Sequence, residues 1–245
     1  LFLLFKIFPM RRGFFLLLLL MFSYLNAQSD LPSHIVEIQK RPTESFPRFI
    51  RFDGSIRLSV DKHADFISTV YGLGAEFSLK LENRVLDQLG WEHFNYSVYF
   101  KNIPVHHGVI KLHTKEGQIL SINSELGKVL GSITPSISPE QAIEMALNFV
   151  SATRYKWEMP EEEFLLKEET QNASATYFPA PTLMWYRKAN SSSYSLAYGM
   201  DVYADFPLSR QYVYVDAHSQ QILASDNGIH TADSNGVAVT AYSGN

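Results

Sequence analysis

The sequence has no cysteine, which removes disulfides, thiolate metal ligands and a cysteine nucleophile together. It also lacks the signatures of common hydrolases. None of its eight histidines is followed by glutamate, so there is no His-Glu-x-x-His metal helix. Neither a Gly-x-Ser-x-Gly elbow nor a glycine-rich phosphate loop occurs. The supplied chain is therefore expected not to hydrolyse peptides, and no residue constellation supports an enzyme in its own right. Basic residues nowhere run longer than a pair such as Arg11-Arg12, and the net charge is −4, so nothing favours nucleic acid. What is present is apolar. With 46% hydrophobic and 13% aromatic residues in 245, the chain can build the core of one large or two small domains.

The first 27 residues read as a targeting segment. Arg11-Arg12 precedes the apolar run Phe14–Leu25, and Leu25-Asn26-Ala27 offers small-residue cleavage between Ala27 and Gln28. Twelve apolar residues are short for a bilayer helix, and Lys6, Pro9 and the two arginines interrupt the stretch before them. Met10 is a credible start. The expectation is export to the periplasm or the extracellular space, with no membrane anchor after cleavage. Residues 28–60, punctuated by Pro32, Pro42 and Pro47, read as a leader with one strand near Phe49 to Phe52.

From Asp61 the pattern becomes structured. Asp61 is placed to cap a helix running to Tyr71, with Phe66, Ile67, Val70 and Tyr71 on one side and Gly72 and Gly74 ending it. Trp91 to Lys101 then alternates, with Phe94, Tyr96, Val98 and Phe100 on one face and His93, Asn95, Ser97 and Tyr99 on the other. Asn102-Ile103-Pro104 supplies turn chemistry. Val105 to Thr114 alternates again with Ile110 and Leu112 inward, and Lys115-Glu116-Gly117-Gln118 turns the chain into Ile119–Ile122. One helix against this meander makes a domain ending near Thr134.

A second unit opens at Ser138-Pro139-Glu140-Gln141, a capping box with proline at the first helical position. Its helix carries Ala142, Met145, Ala146 and Phe149 on one stripe, and Glu161-Glu162-Glu163 reads as a solvated loop. Strands follow at Leu183–Arg187, Tyr194–Tyr203 and Gln211–Asp216, and the last turns through Ala217–Gln220 into Ile222-Leu223. The expected fold class is α+β: two small domains, each an antiparallel sheet covered by a helix. Asp226 to Asn235 reads as a linker, and Gly236 to Gly244 as the start of a new strand.

Leu89, Gly90, His93, Asn102, Ile103, Pro104, Val105, Gly108, His113, Gly117 and Asn123 together resemble the fungalysin/thermolysin propeptide domain, here residues 61–134. Tyr99 and Phe100 stand where that family usually has a glutamine, and His106-His107 is not a family feature. The helix and strands of 135–225, ending Tyr-Val-Tyr-Val-Asp-Ala and Ile-Leu, resemble the PepSY domain, with Gln220 near the usual turn glycine. The resemblance implies the pro-region of a secreted thermolysin-like zinc metallopeptidase, which assists folding of its own peptidase domain in cis and blocks the cleft. Zinc, with calcium as a second candidate, is implied for that peptidase domain and no cofactor for this chain. It also implies a linker at 226–235 cut at His230-Thr231 and a first peptidase strand at 236–245. The alternative is a free-standing exported binding or inhibitor module.

The polar face of the meander is the expected docking surface, with His93, Tyr99 and His113 as its candidates. His107 and His113 share parity, and His93 can join them from the next strand, but six residues of separation are too many for one metal ion without further ligands. Polar-face residues are the reading taken, with His106 on the opposite face adding nothing.

Overall fold

The computed structural model describes residues 34–129, 131–189 and 191–229. The expected signal segment with Ala27 and Gln28, the pair His230-Thr231, and the strand at 236–245 lie outside them. The described chain is α+β. Its elements run β1 (Ile35–Gln39), β2 (Phe49–Phe52), α1 (His63–Tyr71), β3 (Phe77–Leu86), β4 (Trp91–Phe100), β5 (Ile103–Lys115), β6 (Gln118–Ser124) and β7 (Lys128–Val129). The second half adds α2 (Pro139–Val150), β8 (Arg154–Tyr155), α3 (Pro160–Thr170), β9 (Thr182–Tyr186), β10 (Ser193–Phe206), β11 (Ser209–Asp216) and β12 (Ile222–Asn227).

The meander forms because its turns suit right-twisted strands. Lys101 and Asn102 both take positive φ (50° and 63°), as do Glu116 and Gly117 (51° and 74°), and this mirror-image geometry closes two-residue hairpins. The first turn is thus Lys101-Asn102, and Ile103-Pro104 already belong to β5 opposite Phe100 and Tyr99. Phe94, Tyr96, Val98, Ile110, Leu112 and Ile122 are buried on the inner face, as their alternation requires. Against that face lies α1, through His63, Ile67 and Tyr71. Asp61 does not cap it: Val60–Lys62 form a 3-10 turn, and no side chain caps the helix start. Gly72 ends the helix in the left-handed region, as expected.

The expected leader contributes to the sheet. Ile35–Gln39 is a strand paired with β2, and β2 pairs with β6, which buries Ile50 and Phe52. Prolines punctuate the segment without breaking the strands, since none of them falls within β1 or β2. Glu161–Glu163 also differ from expectation, forming the first turn of α3. Pro160 at the first helical position and three carboxylates near the positive helix end favour that start. Glu163 is further held by the backbone N–H of Tyr177 at 2.7 Å.

The two expected sheets are joined. One path of hydrogen-bonded strands runs β1-β2-β6-β5-β9-β10-β11-β12, with β3 added outside β4 and β4 outside β5. One junction pairs Lys128 and Val129 of β7 in parallel with Ser193 and Tyr194 of β10. A second is β5, whose C-terminal half pairs with β6 while Val105 pairs in parallel with Trp185 of β9. His107 (φ 54°) marks the bend between the two partners. Gly108 is required beside it, because a Cβ there would stand 2.7 Å from the Val105 side chain. Tyr194, Leu196, Val202, Val213 and Val215 are buried in the same cluster as the meander core, and Ala142 and Ala146 of α2 pack into it.

The start of α2 is as legible as it looks. Ser138 Oγ accepts from Gln141 N–H, and Gln141 Oε1 accepts from Ser138 N–H at 2.8 Å. Replacing Ser138 by alanine should cost about 1 kcal/mol, read as a lower urea midpoint at unchanged slope. Strand β12 runs on to Asn227, so Asp226 and Asn227 pair with Tyr212 and Gln211 and are not linker.

Candidate functional site

The outer face of the meander is built from pairs in register. One row runs Arg51, Ser121, His113, His93, Val85, and the next runs Phe49, Asn123, Lys111, Asn95, Asn83. A cross-strand pair places two side chains close enough to touch, and His93 and His113 do so with Nδ1 to Nδ1 at 2.6 Å. His93 Nε2 lies 3.2 Å from Asp87 Oδ2. A carboxylate only accepts, so His93 donates from Nε2, and its Nδ1 then accepts from His113 Nδ1–H. The three side chains form one chain of hydrogen bonds.

Asp87 is placed by the turn before β4. Its Oδ1 accepts from the N–H of Leu89 at 2.8 Å and of Trp91 at 2.9 Å, just before and after Gly90, which has φ 77°. The Trp91 N–H, with help from His93 and Leu89, holds the carboxyl below its ordinary range. Burial lowers the His113 pKa most, then the neighbouring charge of His93, and Lys111 adds to this against a hydrogen bond with Asn123. Asp87 escaped sequence reasoning, although an Asp three residues before a glycine is the visible mark of such a turn.

Of the expected docking residues, the structure therefore brings His93 and His113 together. Tyr99 shares β4 with His93 but stands six residues further along, about 20 Å away at strand rise, opposite Pro104. Beside His113 the outer face forms an open concavity of about 730 Å³, lined among others by Arg48, Phe49, His107, Lys111 and Asn123. Among the described residues no group of three or more His, Asp or Glu side chains is arranged to hold a metal ion.

His106 corrects the expectation made for it. The bend at His107 breaks the alternation on which that expectation rested, and His106 packs on the second half of the chain. Its ring lies 5.2 Å from Tyr186 and 4.9 Å from Tyr214, which stack on each other at 4.1 Å. Tyr214 Oη and His106 Nε2 share a hydrogen bond at 3.1 Å. Burial, then the charge of His107, pushes the His106 pKa down to about 4, against a small opposing effect of Asp226.

The outer face of this sheet exposes polar side chains paired across neighbouring strands. Residues 77–126 match the family described as the fungalysin/thermolysin propeptide motif. The match covers β3 to β6, the strands that carry Asp87, His93, Tyr99 and His113. Among solved structures, the chain is similar to the Bacillus megaterium YpeB C-terminal domain at 10% identity, covering 89% of this chain and 97% of that one. Its TM-score of 0.34 is too low to carry an argument. No curated protein matches. Among the described residues no helix is long and apolar enough to cross a membrane.

Proposed function

We propose that the chain is the pro-region of a secreted thermolysin-like zinc metalloendopeptidase, acting in cis as folding assistant and inhibitor of its peptidase domain. The match of residues 77–126 to the propeptide motif carries this reading. Residues 61–134 and 135–225 act in it as a propeptide unit and a PepSY-like unit, and the chain itself is non-catalytic. The zinc, and calcium with it, belongs to the peptidase domain. A preformed sheet offers a folding domain an ordered surface on which slow non-local pairing can proceed. Once that domain is folded, the same surface and the chain leading away from β12 sit across the cleft, with cleavage at His230-Thr231 ending the block. Docking uses the outer face of the meander, where His93, Tyr99 and His113 present hydrogen-bonding groups along β4 and β5.

The test is refolding of the peptidase domain encoded with it, in the presence and absence of this chain, followed by peptide hydrolysis. Recovery of activity should rise with the chain present, and the recovered enzyme should be inhibited at equimolar chain. The combined His93→Ala, Tyr99→Ala and His113→Ala variant should weaken inhibition about tenfold or more, each tenfold corresponding to ~1.4 kcal/mol of docking energy. Refolding that is equally fast without the chain, with no inhibition, overturns the reading. Undiminished inhibition by the triple variant moves the docking face elsewhere.

A further inference from the structure

We infer that Asp87, His93 and His113 form a one-proton latch on the outer face, and that entry of a second proton opens it and loosens docking of the peptidase domain. The docking part rests on the function proposed above. The latch itself rests on geometry alone.

With both imidazoles neutral, Asp87 accepts from His93 Nε2–H and His93 Nδ1 accepts from His113 Nδ1–H, at 3.2 and 2.6 Å. One added proton keeps every bond. It enters at His113 Nε2, and either ring can then carry the charge, because the proton between the two Nδ1 atoms belongs to both. A second proton has no such place. Both Nδ1 atoms would then bear hydrogen and face each other at a separation that admits only one. The rings must part.

The surroundings favour one charge over two. Asp87 is the carboxylate touching the pair. On β5 His113 stands between Lys111 and Lys115, whose ammonium lies over the Trp91 ring. From β6 come Ser121, opposite His113, and Asn123, and from β3 Val85, opposite His93, with Asn83 beyond. Arg51 ends the row beyond Ser121 and is occupied by Glu37 at 3.0 Å. One carboxylate offsets a single imidazolium, and the lysines on either side of His113 disfavour a second. The depressed proton affinity of His113, caused first by burial, points the same way.

Parting the rings disturbs more than two side chains. His93 and His113 are directly paired across β4 and β5, the central hairpin of the face, and His113 lines the concavity that continues to Arg48 and Phe49. A partner seated there meets a different surface after the second proton enters.

The imidazole signals of the full chain, followed by NMR from about pH 8 to about pH 4, test the latch. The expected result is two separated steps, each felt by both rings. Independent titration of the two rings in a single step overturns the latch. Binding of the chain to its peptidase domain, followed over the same range, tests the regulation. Affinity should fall about tenfold or more across the second step, and His113→Gln, which keeps a hydrogen-bonding group but takes no proton, should flatten that fall relative to its own value near neutrality. An equally steep fall in His113→Gln overturns the regulatory part. Absence of binding at every pH instead overturns the pro-region reading, while the two-step titration still decides the latch.

Discussion

Replacing Trp185 by alanine should destabilise the whole described chain by about 4 kcal/mol, in the range of fully buried large-to-small substitutions. Trp185 is completely buried, its Nε1–H donates to the Phe100 carbonyl at 3.2 Å, and its ring meets Phe100 at 5.6 Å and 74°. Its backbone forms the bridge to Val105 that joins the two strand sets. Alanine would leave a cavity and an unpaired carbonyl at a place where the two halves meet. Urea unfolding followed by far-UV circular dichroism measures the loss, and amide exchange locates it. If the halves unfold as one unit, protection falls together on β4 and on β11. Protection lost on β9 to β12 while β4 is untouched would restore the expectation of two independent sheets.

The difference between those outcomes shows where the sequence was legible. Alternation over Phe94 to Phe100 and over Ile110 to Leu112 gives strand and face at once, because burial on one side of a pleat forces a period of two. The capping box at Ser138 and the terminating Gly72 were equally readable, since each is local chemistry with one geometric answer. The partner switch along β5 was not. It depends on a backbone bend at His107, a residue with no β-turn preference that a sequence pattern would flag. It depends also on a pairing of Val105 with Trp185 across 80 residues of chain. The strand Ile35–Gln39 was hidden for a similar reason: its alternating residues are largely exposed, and its membership in the sheet comes from β2.

The candidate site divides along the same line. That His93 and His113 share a face follows from parity once the hairpin register is known, and the turn at Lys101-Asn102 together with the bulge between Pro104 and Val109 sets that register. The contact itself was not readable, because a one-residue shift at any point of the hairpin would separate the rings. Asp87 reaches His93 only because the turn curls back over the strand it precedes. His106 was misassigned by alternation carried through a bend. Parity arguments therefore hold within a regular strand and fail at the first bulge, which is where this chain places the residues that link its halves.

Acid should weaken the fold through His106. The folded pKa is pushed down to about 4, and the ring is expected near its ordinary value of about 6.5 once unfolded. The unfolded chain then binds the extra proton first, so the contribution is complete above about pH 6.5, shrinks as pH falls, and is gone below about pH 4. Two and a half units correspond to about 3 kcal/mol at most, less whatever solvent reaches a half-buried ring. The groups facing it are Tyr186 and Tyr214, His107 beside it and Asp226 across the sheet. Tyr214, itself raised to about 12 mainly by burial, keeps its proton throughout this range. The protonated ring therefore carries its charge into a half-buried aromatic site, where the Asp226 carboxylate offsets only part of the cost. Unfolding free energies of the wild-type chain and of His106→Phe, measured in urea at steps between about pH 7.5 and 4, should converge as pH falls. The phenylalanine ring keeps contact with both tyrosines and takes no proton. Acid then acts on the seam where β5 meets β9, and a pH slope identical in the two proteins would place the acid sensitivity on other groups, His63 and His113 first.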